Sequence, residues 1–101
     1  MMAKKKAPTK AESKHMDRVA ALGCIACQQI GFEDTPAEIH HIRATAGAGQ
    51  RSSHFDVIPL CFLHHRIDGN AIHRSKVNFE ADFGTELELL AMVKNSLNIA
   101  A

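Results

Sequence analysis

Two pairs of residues at matched spacing, Cys24-x-x-Cys27 and Cys61-x-x-His64, constrain this chain more than any other feature. Two intervening residues are what one tight turn needs to bring both side chains onto a single tetrahedral ion, and thiolate with imidazole donors suits Zn²⁺. The four positions use all three cysteines of the chain. An odd cysteine count argues against a closed disulfide framework, and short cysteine spacing in a reducing compartment more often marks a metal site. A nucleophilic Cys61 with His64 or His65 as its base is another chemistry open to these residues, but it leaves the Cys24–Cys27 pair without a role. Simple burial of cysteine as a small hydrophobe does not account for the matched spacing. A structural zinc also suits the size of the chain. With 101 residues, five Phe and neither Trp nor Tyr, the core is thin, and small domains often need such a staple.

The elements around these pairs can be read from local signals. Residues 1–13 are Lys-rich and contain Pro8, which predicts a disordered basic arm, with one domain over 14–101. A short amphipathic helix is expected from about Lys14 to Leu22, stopped by Gly23. A CxxC turn and loop follow to Gly31, then a strand over roughly Ala37–Arg43. Residues 44–54 read as an irregular loop. Asp56–Leu60 reads as a second strand that Pro59 places at an edge or a strand end. A helical turn from Cys61 to near Gly69 carries His64 and His65. Ser75 can cap a helix ending at Phe83, and Thr85 with Glu88 forms a capping-box pattern for a helical tail. In that tail Leu87, Leu90, Val93 and Leu97 predict the apolar face. The expected fold is therefore small α+β, with a central ββα unit, a zinc knuckle and flanking helices.

Six of the seven histidines lie between positions 40 and 73. His40 and His41 are adjacent in a strand, so their side chains face opposite ways. They cannot easily be equal ligands of one ion, but one can hold a metal while the other does separate work. Hydrolysis of a phosphodiester needs that division: a cation to neutralise the phosphate and the departing oxygen, and a base to deprotonate water. Imidazole suits the base because its ordinary pKa is about 6.5.

Charge is unevenly distributed. Residues 1–14 carry a net +4 and residues 15–101 a net −3, giving +1 overall. Arg43, Arg51, Arg66, Arg74 and Lys76 lie in the middle of the chain among few acids, so a polyanion would be met there and by the arm. No run of about 18 apolar residues is present, and the basic start lacks the apolar stretch of a signal peptide. An intracellular, cytoplasmic protein is expected.

The strings EIHHIR, GAGQRSSHFD, IPLCFLHHR and AIH together resemble an HNH (ββα-metal) endonuclease. With FEADFGTELELLA, the chain resembles more narrowly the phage and prophage Ref-like group, the recombination-enhancing, RecA-dependent nucleases. The resemblance implies a DNA endonuclease using Mg²⁺ or another divalent cation, with DNA and a RecA filament as partners. It makes His40 the first catalytic-metal ligand, His65 the second and His73 the third, with His41 as general base and Asp56 orienting it. His73 follows His65 by eight positions, so the chain must turn back to bring them together. His54 is an alternative partner at the metal or at a phosphate. Arg43, Arg51 and Arg66 are candidate phosphate contacts, and the Gly47–Ser53 loop could bring backbone N–H groups to a phosphate. A zinc-stabilised module that grips DNA without cutting is the competing reading. It leaves His40, His41, His65 and His73 unexplained beside a complete set of zinc ligands.

Overall fold

The computed structural model describes residues 7–47 and 52–98. Arg51, Gly49, Gln50 and the first six residues, which include three of the arm's lysines, lie outside the described residues.

Helix α1 spans Lys10–Ala21 and opens on a capping box in which Thr9 and Glu12 exchange side-chain and backbone hydrogen bonds. It begins four residues before the expected start, because the Thr9-x-x-Glu12 pattern satisfies the helix's first free N–H groups. Gly23 then turns the chain with φ of +79°, and its N–H donates to the Ala20 carbonyl. A Cβ here would lie 3.2 Å from the Thr35 carbonyl oxygen, so position 23 needs glycine for its backbone and for its space. Helix α2, Ile25–Gln29, is one short turn whose N-cap is Cys24.

Strands β1 (Glu38–His41) and β2 (Val57–Leu60) form a two-stranded antiparallel sheet in which His40 faces Ile58 and His41 faces Val57. Pro59, opposite Ile39, takes a place where its missing N–H costs nothing, since each strand of a two-stranded sheet has a free edge. All four residues of β2 are buried, in contact with α1, α2 and α4. After β2 comes a π-helical turn, Leu63–Ile67. Single turns of this kind tend to occur at functional positions. Helix α3, Lys76–Phe83, is capped by Ser75, and α4, Glu86–Ser96, by the Thr85–Glu88 box.

One face differs from expectation. Leu87 is 53% exposed, and α4 buries Glu86, Leu89, Leu90 and Val93, with Leu97 packed at the edge of the core. The apolar spacing alone admits either phase. Glu86 decides it, because its carboxylate is drawn inside by four donors.

The two positive-φ glycines flanking α2 offer a test. Gly31 (φ +92°) has nothing within 4 Å of a built Cβ, whereas Gly23 is crowded. Gly31→Ala should cost about 1 kcal/mol in strain alone, and Gly23→Ala about 2–3 kcal/mol. Urea unfolding of both variants checks this. Equal losses would remove the close approach at Thr35 as a constraint.

Candidate metal centres and active site

The first cluster joins the turn of α2 to the segment after β2. Sγ of Cys27 and Sγ of Cys61 are 3.7 Å apart, and His64 Nδ1 stands 3.7, 3.4 and 3.2 Å from Cys24, Cys27 and Cys61 respectively. For bonds of about 2.3 Å to sulfur and about 2.0–2.1 Å to nitrogen, a tetrahedral ion spaces its donors about 3.6–3.8 Å apart. All four donor atoms lie within 4.8 Å of one another, so this group can hold a metal ion. The backbone N–H of Cys27 points at Cys24 Sγ, and that of His64 at Cys61 Sγ. Both N–H groups favour a thiolate. Without a cation, burial pushes the Cys24 thiol up to about 12, so that thiol stays protonated until an ion displaces the proton.

The second cluster is made of imidazoles. His40 Nδ1 lies 3.1 Å from His65 Nε2, and His73 Nε2 lies 2.9 Å from the same atom. Two donors at right angles on an ion with bonds of about 2.1 Å are about 3.0 Å apart, against about 3.4 Å at the tetrahedral angle. Each of the two spacings from His65 is short enough for neighbouring donors of one ion, and all three donor atoms lie within 4.8 Å of one another, so this group too could hold a metal ion. His73 arrives because the chain does turn back: the Ile72 and His73 N–H groups donate to the His64 and His65 carbonyls.

Each adjacent histidine pair is split. His64 serves the sulfur cluster and His65 the imidazole cluster, because successive side chains on a helical turn point in different directions. His40 faces the imidazole cluster, and the half-buried His41 faces His54, with Nε2 and Nδ1 2.9 Å apart. His54 therefore stands against His41 and outside the three-imidazole group. Asp56, expected to orient His41, accepts from the Thr45 hydroxyl at 3.0 Å and lies 4.0 Å from Lys94 Nζ.

Carboxylates hold the outer nitrogens of the imidazole cluster. His40 Nε2 is 2.8 Å from Glu86 Oε2, and His65 Nδ1 is 2.6 Å from Glu38 Oε1. Arg66 grips Glu38 with two bonds of 2.9 and 2.6 Å and lies over the Phe62 ring. Its donors thus reach the site through Glu38. Arg43, at the end of β1, has an exposed side chain whose charge acts on His73. Burial pushes His40 down to about 4, against the pull of Glu86, and burial with the charges of His65, Arg43 and Arg66 lowers His73. Burial opposes the ionised form of Glu86, yet hydrogen bonds from His40 and Arg43 and the charge of Lys76 hold it below the ordinary value. Burial thus favours the neutral form of the His40 ring.

Neither Glu38 nor Glu86 stood out in the sequence. For Glu38 a signal existed, since it precedes His40 by two positions in a strand and so shares its face. For Glu86 none did beyond its place in the first turn of a capped helix.

The chain matches, over residues 8–98, the family model described as recombination enhancement, RecA-dependent nuclease. The chain belongs to that family. Both clusters of this RecA-dependent nuclease relative fall wholly inside the matched span. Among the described residues no helix is long and apolar enough to cross a membrane.

The Glu38 network sets an acid limit. Arg66 and His65 hold the Glu38 carboxyl down to about 2, against 4.5 in an unstructured chain. The stability it lends is present above pH 4.5 and is lost as pH falls from there toward 2. Urea midpoints measured across that window should fall more steeply for the unsubstituted protein than for Glu38→Gln. Parallel curves would show that the network contributes nothing to folding.

Proposed function

We propose that this protein is an HNH-type DNA endonuclease, in which β1, β2 and the π-helical turn form the ββα-metal unit and residues 14–101 the nuclease domain. The observation that carries the reading is the presence of two donor sets of different chemistry. The sulfur-rich one joins elements of the fold, and the imidazole one lies beside His41, a residue it does not use. In this reading Cys24, Cys27, Cys61 and His64 hold a structural Zn²⁺, and His40, His65 and His73 hold Mg²⁺ or another small divalent cation.

When bound at the three imidazoles, a divalent cation neutralises charge on the scissile phosphate and on the departing 3′-oxygen. The residues of the chain do the rest. His41 takes the proton of the attacking water, on the strand face opposite the ligand His40, so base and ligand do not compete for one ion. His54 shares a hydrogen bond with the His41 ring and fixes its orientation. Asp56, through Thr45, ties together the two ends of the loop that joins β1 to β2, a more indirect support for the base. Arg43 is the described arginine best placed for a phosphate, and Arg51 and the glycine loop are proposed to act beside it. The basic arm adds salt-sensitive, non-specific affinity. The family description supports DNA held by a RecA filament as the substrate, and a role in recombination, in a phage or prophage setting and within the cytoplasm, follows from the same reading.

The test is cleavage of single-stranded, duplex and RecA-coated DNA with Mg²⁺, comparing the unsubstituted protein with His41→Ala. Loss of a general base typically costs 10²–10⁴-fold in rate. His41→Ala should lose cleavage by at least about 100-fold while retaining DNA binding in a mobility-shift assay. Undiminished cleavage by the variant would remove His41 from the mechanism, and binding without cleavage by the unsubstituted protein under every metal would favour a gripping module.

A further inference from the structure

Glu86 is a buried carboxylate on the first turn of α4, only 2% exposed. Its neighbours are all donors. Oε1 accepts from the backbone N–H groups of Arg43 and Ala44 at 2.9 and 3.1 Å, and Lys76 Nζ lies 3.3 Å from the same oxygen. Oε2 is 2.8 Å from His40 Nε2. A carboxylate so surrounded can only accept, so Nε2 of His40 must carry the ring's proton. The lone pair is then on Nδ1, the atom 3.1 Å from His65 Nε2. Helix α4 is otherwise remote from the imidazoles in sequence, and Glu86 is its described hydrogen-bond link to them.

We infer that Glu86 is a positioning residue for the three-imidazole centre: it selects the His40 tautomer that presents Nδ1 to a cation and ties the docking of α4 and of the Arg43–Ala44 turn to that selection. The inference rests on the proposal that His40, His65 and His73 hold a divalent cation. Outer carboxylates on ligand histidines fix ring orientation and raise ligand basicity, and their loss typically costs 10–100-fold in metal affinity.

The isosteric variant Glu86→Gln sharpens the test. Glutamine has one acceptor oxygen, and the two backbone N–H groups with Lys76 claim it. Its NH₂ group is left facing His40 Nε2. The ring must then accept there, which moves its proton to Nδ1 and closes the metal-facing atom.

Two measurements on the full chain with its sulfur cluster loaded with zinc decide the matter. The first is the tautomer of His40 by ¹⁵N NMR without added Mn²⁺. The unsubstituted protein should show the proton on Nε2, and Glu86→Gln should show it on Nδ1. A proton on Nδ1 in the unsubstituted protein overturns the inference, with no variant needed. The second is the Kd for Mn²⁺ by calorimetry, which should weaken 10–100-fold in Glu86→Gln and stay within twofold in Lys76→Met, which leaves the His40 contact intact. Tight Mn²⁺ binding by the unsubstituted protein with the same Kd in Glu86→Gln would overturn the role of Glu86 alone. No Mn²⁺ binding by the unsubstituted protein, with His65→Ala indistinguishable from it, would instead overturn the metal centre on which the inference rests.

Discussion

The fold depends on Cys24 and Cys27 meeting Cys61 and His64. Two loops and two strands separate these pairs in sequence, and the chain has few large side chains with which to hold them together. Once His64 is committed to the sulfur side, the rotation of the π-helical turn is fixed, and His65 has one direction left. That direction is toward His40. The backbone bonds from Ile72 and His73 to the carbonyls of His64 and His65 then deliver the third ring. The sulfur cluster thus sets the geometry of a centre to which it contributes no atom.

The imidazole centre is organised from outside as well. Glu38 and Glu86 each take the outer nitrogen of one ring, and each is itself held by cations and N–H groups. With the protons on the outer nitrogens, as proposed, the inward nitrogens of His40 and His65, 3.1 Å apart, would present two lone pairs that only a cation between them could reconcile. In the proposed centre the outer bonds from Glu38 and Glu86 would keep the rings from turning their N–H groups inward. Arg66 belongs to this support, since its fork is spent on Glu38. A positive charge near the centre free to meet a phosphate is better sought at Arg43.

What could be read from the sequence was whatever obeys a local rule. The matched Cys and His spacings, the strand alternation that separates His40 from His41, the Ser75 cap and the Thr85–Glu88 box each depend on residues a few positions apart. The Thr9–Glu12 box obeys the same rule, and the high lysine content around it masked the helix it opens. Leu87 falls on the expected apolar face and yet is exposed, because helical spacing fixes a period and not a phase. The phase is set by Glu86, whose hydrogen-bond partners His40, Arg43 and Ala44 lie more than 40 positions away. Glu38 and Glu86 carry no metal-ligand signature, and neither belongs to the two donor sets. Strand alternation places Glu38 on the face of His40, whereas the place of Glu86 is legible only once tertiary contacts bring it to the ring. His54 shows the same limit: the sequence offered it as a partner of a metal or a phosphate, and its contact with the His41 ring is a tertiary one.

The claim at the centre of this account is that one short chain captures two cations with separate sets of atoms. Titration of the metal-free protein with Co²⁺, followed by absorbance, tests it most directly. Two steps should appear: a first with intense thiolate-to-cobalt bands and a second without any sulfur contribution, and His65→Ala should remove only the second. A single step that saturates at one ion per chain, or a His65→Ala variant that loses the sulfur bands as well, would contradict it.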